Sequence, residues 1–241
     1  MDNYQLAVIT GAAHRLGRAF ALRLASNGYA VLLHYNRSKI DAEETESQLR
    51  ELKIPVFMIQ ADLTNQADIE AVFSYIDSLP HELRVLVNSA AIMTRSSLDD
   101  LTISEWDTTL SLNLRAPFLM GKFAAGRMGN GGLIINITES GVWKTWTKYP
   151  AYQVSKAALE TLTRVMARTY APKIRVNAIA PGLVLPGDDA NPEEWKQLVS
   201  RTPLKRSVTV EEVASALDVL LENSAITGQT LVIDGGFSLI G

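Results

Sequence analysis

The chain has 241 residues, of which 47% are hydrophobic, a formal net charge of −3 and no cysteine. This length supports a full-sized core, and we expect a single domain over 1–241. The lack of cysteine excludes disulfides, thiol nucleophiles and thiolate metal sites, and three histidines without partners at ligand spacing predict no metal. The small negative charge predicts no nucleic-acid partner.

The sequence contains no run of about 18 apolar residues, so no membrane partner is expected. The opening segment MDNYQLAVIT leads directly into a strand pattern without a basic region or a cleavage site, which predicts a cytoplasmic protein. These bulk properties favour a small molecule as the partner.

Seven short apolar segments, rich in β-branched residues, alternate with longer amphipathic segments. In chain order they are QLAVI, AVLLHY, PVFMIQ, RVLVN, GLIINIT, IRVNAIA and TLVID. Such strands are typically buried on both faces by crossover helices, so the pattern predicts an α/β protein: a doubly wound Rossmann fold with a seven-stranded parallel sheet. Capping signals at Thr102, Pro192 and Thr209 predict three helix starts.

One segment, 183–207, interrupts the alternation. It contains Asp188, Asp189 and three prolines around the short helical piece EEWKQLV. Because it follows a late strand, it is expected over the carboxyl edge of the sheet. We interpret it as a substrate-covering segment; the alternative is a surface helix that only packs.

A glycine-containing turn, TGAAHRLG, lies between the first strand and the first helix. Backbone N–H groups and the helix dipole converge at such a turn and bind a pyrophosphate. Gly11 would permit the tight turn and Gly17 the close approach of helix and sheet. Arg15 and Leu16 lie between them and are assigned to the same cofactor site.

The second strand ends in HYNRS, which contains Tyr35, Arg37 and Ser38. A protein that binds NAD tends to carry a carboxylate here, whereas an arginine fork and a hydroxyl suit a 2′-phosphate, and Arg15 adds a second positive charge. NADPH is therefore the predicted cofactor. The alternative for both arginines is a solvated surface role.

Asp62 and Leu63 follow the third strand in QADLT. Asp62 is placed to accept a hydrogen bond from the adenine amino group, and Leu63 is assigned to the same part of the site. A plain helix cap is the alternative for Asp62.

Tyr152 and Lys156 are four residues apart at the start of a helix and therefore share one of its faces. A phenol is a weak acid at neutral pH, and a nearby ammonium stabilises the phenolate. We expect Lys156 to lower the pKa of Tyr152 and make it a usable proton donor.

The whole chain resembles the short-chain dehydrogenase/reductase family, on the segments TGAAHRLG, ADLT, VLVNSAA, LNLRAPF, IINITES, YQVSK, RVNAIAPG and TGQTLVIDGG. The resemblance implies an NAD(P)(H)-dependent oxidoreductase with strand order 3-2-1-4-5-6-7, usually a homotetramer. It also implies roles by position: Tyr152 as catalytic acid-base, Lys156 on the nicotinamide ribose, Asn113 at a proton-relay water, Asn88 and Ala90 along the cofactor, and Pro181 and Gly182 beside the nicotinamide.

Three positions depart from the usual pattern of that family. Arg15 replaces the central glycine of the turn, Asn-Asn-Ala-Gly reads NSAA from Asn88, and Glu139 stands where the catalytic serine is usual. An ionised carboxylate only accepts hydrogen bonds and repels a developing alkoxide, so Glu139 suits a substrate rich in N–H donors or must itself be protonated. An exposed loop carboxylate is the alternative.

Among members of the family, the chain is most similar to pteridine reductases, which share TGAAxRLG, HYxRS and an aspartate at the position of Glu139. The resemblance implies NADPH-dependent reduction of a dihydropterin, biopterin or dihydrofolate, with the proton delivered by Tyr152 assisted by Glu139. Arg15 would contact phosphate and substrate, and Met93 stands where those enzymes carry a stacking aromatic residue. Trp195 would border the pocket, with core packing as its alternative.

Two other functions remain open at this point. A carbonyl reductase acting on 3-oxoacyl thioesters or sugars would use Tyr152 and Lys156 in the same way. A catalytically silent dinucleotide-binding regulator would retain the fold without turnover.

Overall fold

The computed structural model describes residues 4–129, 131–187 and 190–240. Asp188 and Asp189 of the predicted covering segment lie outside the described residues. Within the parts described, no helix combines the length and apolar character needed to cross a membrane.

The seven predicted strands form one parallel sheet in the order β3-β2-β1-β4-β5-β6-β7. The predicted fold class and the implied strand order are both confirmed. The strands are β1 (Leu6–Thr10), β2 (Ala30–Tyr35), β3 (Val56–Gln60), β4 (Leu83–Asn88), β5 (Gly132–Ile137), β6 (Ile174–Pro181) and β7 (Thr230–Ile233).

Helices cover both faces of the sheet. They are α1 (Arg15–Ser26), α2 (Lys39–Glu51), α3 (Gln66–Ser78), α4 (Ile103–Leu110), α5 (Ala116–Ala125), α6 (Pro150–Tyr170), α7 (Pro192–Arg201) and α8 (Val210–Glu222). A π-helical turn (Ser111–Arg115) joins α4 to α5, and a 3-10 turn (Phe237–Leu239) follows β7. The three predicted helix starts are confirmed, since Thr102 and Thr209 form capping boxes and Pro192 is the first residue of α7.

Alternate residues of each inner strand enter two separate cores. In β1, Ala7 and Ile9 join a cluster with α1, α2 and α8, whereas Leu6 and Val8 join a second cluster with α3, α5 and α6. The edge strands differ, because β7 has no fully buried residue, contrary to the expectation of strands buried on both faces. An edge strand has only one neighbour to shield it.

The order of the strands opens a crevice at the carboxyl end of β1, which pairs with β2 on one side and β4 on the other. The hydroxyl of Thr10 accepts hydrogen bonds from the backbone N–H groups of Ser89 (3.0 Å) and Ala90 (3.1 Å). These bonds hold the loops after β1 and β4 together at the place where a dinucleotide is expected.

Two glycines give the turn after β1 its shape. Gly11 has φ +63°, and a Cβ atom on it would lie 2.8 Å from the Cα of Ala90. A Cβ on Gly17 would lie 2.1 Å from the carbonyl oxygen of Gly11, closer than any real contact. The predicted reasons for both glycines are confirmed.

We expect Gly17→Ala to lower the free energy of unfolding by about 1–3 kcal/mol, because α1 must move away from β1. Urea denaturation gives the measurement. The matched control is Gly126→Ala, at φ −67°, where the new Cβ would meet only the carbonyl oxygen of Phe123 at 3.6 Å. The control should change stability by no more than about 1 kcal/mol, and equal losses in the two variants would contradict the close-approach argument.

Candidate active site

Apart from Lys156 on α6, the predicted cofactor residues lie at the carboxyl edge of the sheet. They are Gly11, Arg15, Leu16 and Gly17 after β1; Tyr35, Arg37 and Ser38 at the end of β2; Asp62 and Leu63 after β3; Asn88 and Ala90 at the end of β4; and Pro181 and Gly182 at the end of β6. Their assigned contacts with a cofactor stay predictions. Among the described residues, no group of three or more histidine, aspartate or glutamate side chains is arranged to hold a metal ion.

A buried histidine supports the glycine turn. The Nδ1 atom of His34 accepts the backbone N–H of Gly11 at 3.1 Å, and its Nε2 atom donates to the carbonyl oxygen of Ala61 at 3.0 Å. The ring is therefore neutral with its proton on Nε2. Burial lowers the pKa of His34 to about 4. No sequence motif indicated this link, through β2, between the turn and the residue that follows β3.

Asp62 lies near the basic end of β2. Its carboxylate accepts the backbone N–H (2.9 Å) and the hydroxyl (2.7 Å) of Thr64, and these bonds, aided by the charge of Arg37, lower its pKa. The helix-cap alternative is wrong, because Asn65 caps α3. The adenine contact of Asp62 stays a prediction, and Arg37 itself is exposed.

Arg15 joins the glycine turn to the predicted covering segment. Its Nη2 atom donates to the carbonyl oxygens of Leu185 (3.2 Å) and Pro186 (3.0 Å). The start of the segment therefore lies over the carboxyl edge of the sheet. Trp195 is half-buried on α7, a helix without a fully buried residue, so the core-packing alternative for Trp195 is wrong.

Asn113 lies in the π-helical turn and is completely buried. Its amide oxygen accepts the backbone N–H of Ile92 at 2.9 Å, and its amide nitrogen donates to the carbonyl oxygen of Ile92 (2.9 Å) and the hydroxyl of Ser155 (3.1 Å). Asn113 thus fixes α6 relative to the loop after β4, which carries Met93. The side chain of Met93 is 46% exposed and free to pack on a ligand.

Glu139 follows β5 and is only 9% exposed. Its Oε1 atom accepts the backbone N–H of Gly141 at 3.0 Å. Burial raises the pKa of this carboxyl to about 7, while the Gly141 bond and the charge of Lys156 oppose the shift. The alternative of an exposed loop carboxylate is therefore wrong. Near neutral pH this group both gives and takes a proton.

Tyr152 projects from α6 toward Glu139. The residue is half-buried, and burial raises the pKa of its phenol well above the usual 10. The charge of Glu139 and the hydrogen bond between the two side chains raise the pKa further. The expectation that Lys156 lowers the pKa of Tyr152 is therefore wrong for this structure. Burial and the neighbouring carboxylate of Glu139 both disfavour the phenolate, and together they outweigh any stabilisation by the Lys156 ammonium.

Lys156 is buried one helical turn after Tyr152. Its Nζ atom donates to the carbonyl oxygen of Ile137 at 2.7 Å and lies 5.6 Å from the centre of the Tyr152 ring. Burial lowers the pKa of Lys156 to about 8, and the charge of Glu139 opposes this. The three groups form one connected set in which Glu139, and not Lys156, is the direct partner of the phenol.

A turn after β7 completes the site and was missed by the sequence reasoning. Asp234 accepts the backbone N–H groups of Gly236 (2.8 Å) and Ser238 (2.7 Å), and its charge helps raise the pKa of Glu139. The backbone N–H of Gly182 donates to Ile233 at 3.0 Å, which ties this turn to the end of β6. The closing DGG of the sequence was the available signal, since it is a turn motif directly after a strand.

Comparison with known proteins agrees with this arrangement. Residues 11–238 match the family described as "Enoyl-(Acyl carrier protein) reductase". The chain belongs to the short-chain dehydrogenase/reductase family. Within this family, it is 34% identical to a 3-oxoacyl-[acyl-carrier-protein] reductase FabG of Staphylococcus aureus, over 95% of this chain and 96% of that protein.

Two other members of the short-chain dehydrogenase/reductase family extend the comparison. The 1-cyclohexenylcarbonyl-CoA reductase of Streptomyces collinus is 33% identical, over 99% of this chain and 89% of that protein. The structure of FolM Alternative dihydrofolate reductase 1 from Brucella canis, complexed with NADP, matches with a TM-score of 0.93 at 32% identity. That match covers 100% of this chain and 96% of the other. The protein is thus a short-chain oxidoreductase, and its relatives act on different substrates.

The stability of the protein should fall between pH 6.5 and pH 4 because of His34. Since its pKa is about 4 when folded and 6.5 when unfolded, only the unfolded chain takes up a proton in this range. The contribution of His34 to the free energy of unfolding is fully present above pH 6.5, and about 3 kcal/mol of it is lost as the pH falls to 4. Urea unfolding of the wild type and of His34→Gln at several pH values separates the contribution of His34 from that of the carboxylates. Identical pH slopes in the two proteins would contradict it.

Proposed function

We propose that the protein is an NADPH-dependent reductase of pterin-like substrates, such as a dihydropterin, biopterin or dihydrofolate. The observation that carries the proposal is the buried carboxyl of Glu139 against the phenol of Tyr152, at the position where a ketone reductase of this family would place a serine. The similarity to the FolM structure supports it.

The choice of substrate class follows from the chemistry of Glu139. A ketone oxygen that gains negative charge needs hydrogen-bond donors around it, and an ionised carboxylate would repel it. A nitrogen-rich ring presents N–H groups, which a carboxylate accepts well, and it needs a proton on nitrogen. With a pKa of about 7, Glu139 can serve both purposes.

The cofactor part of the proposal rests on charge at the carboxyl end of β2. Arg37 is exposed there next to the half-buried Ser38, and the glycine turn would present backbone N–H groups to a pyrophosphate. Solved relatives contain NADP or NADPH. When bound, NADPH supplies the hydride for the reduction. Lys156 would contact the nicotinamide ribose, and Pro181 and Gly182 would flank the nicotinamide.

The proton is delivered by the chain's own residues. In this scheme the ring carbon of a C=N bond gains the hydride, and the adjoining nitrogen takes the proton of the Tyr152 phenol. Glu139 gives its proton to the Tyr152 oxygen, and water restores the proton of Glu139 after the product leaves. Because burial and the charge of Glu139 disfavour a free Tyr152 phenolate, the proton moves from Glu139 to Tyr152 as Tyr152 gives its own proton to the ring nitrogen.

The remaining predicted residues would surround the substrate. Met93 is placed on the loop after β4 and can pack on a flat ring, although a thioether stacks less closely than an aromatic ring. Arg15 contacts the start of the covering segment 183–207 at Leu185 and Pro186, and Trp195 lies further along the same segment on α7.

The proposal extends to a homotetramer in the cytoplasm. Its support is a set of exposed apolar side chains on two neighbouring helices, Phe118 of α5 and Val154 and Val165 of α6, which a second copy would cover. Light scattering of the purified protein measures the assembly directly.

A carbonyl reductase is the second candidate. The similarity to the 3-oxoacyl-[acyl-carrier-protein] reductase FabG favours it. A silent regulator has no such support, because the site retains Tyr152, Lys156 and Asn113 in contact with their partners.

Substitution of Glu139 separates the two enzymatic candidates. With purified protein and NADPH, we expect the wild type to reduce a dihydropterin or dihydrofolate faster than a quinone or a β-keto thioester. Glu139→Gln keeps the shape but holds no acidic proton, so pterin turnover should fall by about 100-fold to 10,000-fold. Glu139→Ser should behave likewise. If Glu139→Ser instead raised thioester turnover and left pterin turnover unchanged, the carbonyl reductase would be the correct assignment.

Substitution of Arg37 tests the cofactor. Arg37→Ala should weaken NADPH binding by about 1.5–3 kcal/mol, the range of a hydrogen bond to a charged group, and leave NADH binding unchanged. Fluorescence titration of both cofactors measures it. Lys39→Ala is the matched control, because Lys39 is a neighbouring exposed cation paired with Glu43. Equal losses for the two cofactors would refute the phosphate contact.

A further inference from the structure

An indole ring and the carboxyl of Glu139 share the space beside Gly141. A Cβ atom placed on Gly141 would lie 2.8 Å from Cζ2 of Trp146 and 3.3 Å from Oε1 of Glu139. The missing side chain of Gly141 thus leaves room for both groups next to each other. An apolar ring here occupies the space from which water would solvate Glu139.

Trp146 is held in place by the turn after β7. Its ring meets that of Phe237 edge-on, with centroids 6.0 Å apart and an interplanar angle of 63°, and that of Tyr149 at 6.4 Å and 64°. Phe237 is only 4% exposed. Aromatic pairs with this geometry attract one another beyond their apolar contact.

A cation completes this clamp. The Nζ atom of Lys144 lies 3.8 Å from the centre of the Phe237 ring and also donates to the carbonyl oxygen of Phe237. The amide of Gln153 donates to the carbonyl oxygens of Gly141 and Lys144, each at 2.7 Å. The loop between β5 and α6 is therefore fixed at Gly141 and Lys144, shortly before Trp146.

The charged groups around Glu139 do not by themselves explain why its pKa is raised. Tyr152 and Lys156 face it from α6, Lys144 from its own loop and Asp234 from the end of β7. Lys156 and Tyr152 favour the ionised carboxylate, whereas Asp234 disfavours it. Burial is the largest cause of the raised pKa, so whatever excludes water from the carboxyl controls its proton.

We propose that Trp146, clamped by Phe237, is a positioning residue that excludes water from the Glu139 carboxyl and so keeps it able to carry a proton. The contacts stand on their own, but the benefit to turnover rests on the proposed function of Glu139. The turn after β7 thereby takes part in proton delivery without touching the substrate.

The test measures the titration of Glu139 directly. Carbon-13 NMR of protein labelled at glutamate carboxyls follows the group with pH, and Glu139→Gln identifies its signal. Trp146→Ala should move the midpoint down by at least about one pH unit, toward the value of an exposed glutamate. Trp146→Phe should restore most of the shift. Trp143→Ala is the matched control, because Trp143 lies in the same loop and is 80% exposed.

A second variant covers the case in which Trp146→Ala does not fold. Phe237→Leu removes the ring contact but keeps an apolar side chain, and should lower the midpoint by a smaller amount. Near-UV circular dichroism checks the fold of each variant. A midpoint that stays at the wild-type value in folded Trp146→Ala, or in Phe237→Leu if only that variant folds, overturns the inference.

The pH dependence of turnover distinguishes this inference from the proposed function. Because the acid form of Glu139 is needed, wild-type pterin turnover should decline as the pH rises through about 7, and this decline should move to lower pH in Trp146→Ala. A shifted NMR midpoint without pterin reduction by the wild type would uphold the shielding and refute the function. Pterin reduction by the wild type, together with an unchanged NMR midpoint in Trp146→Ala, would support the function and refute the shielding.

Discussion

A parallel sheet brings the carboxyl ends of all its strands to one edge, and every part of the site depends on that constraint. The glycine turn follows β1, the basic residues follow β2, Glu139 follows β5 and Asp234 follows β7. Arg15 and Pro186 therefore meet at this edge although they lie 171 positions apart in the chain. The two cores on either side of the sheet support this edge. The residues of the site lie on the connections that follow the strands, and backbone hydrogen bonds hold these connections in place.

The chemical character of the site comes from a competition between burial and charge. A carboxyl, a phenol and an ammonium share one dry volume, and each has its neutral form favoured by burial. Their mutual attraction only partly offsets this. The outcome is a carboxyl whose pKa is raised to about 7 and an ammonium whose pKa is lowered to about 8. Short-chain reductases with a serine in place of Glu139 would lack a carboxyl that can hold a proton next to the phenol.

Much of the fold was predictable, because strand and helix periodicity is local and the seven apolar segments are strongly patterned. The positions of Gly11, Gly17 and Glu139 were also predictable from their place relative to strands. The pKa of Tyr152 was predicted in the wrong direction, since the sequence shows the spacing of Lys156 but not the dryness of the pocket. The contact between Trp146 and Phe237 joins two loops that nothing in the linear pattern links. Such contacts arise only from the assembled sheet.

Arg15 has a strained backbone conformation in the turn after β1. It adopts φ +52°, in the left-handed region that glycine occupies freely and that other residues enter at a cost of about 1–2 kcal/mol. The backbone of this turn would be more relaxed with a glycine. The strain is therefore accepted in exchange for a guanidinium beside the carbonyl groups of Leu185 and Pro186. A glycine at this position would relax the turn at the expense of the link between the turn and the segment above it.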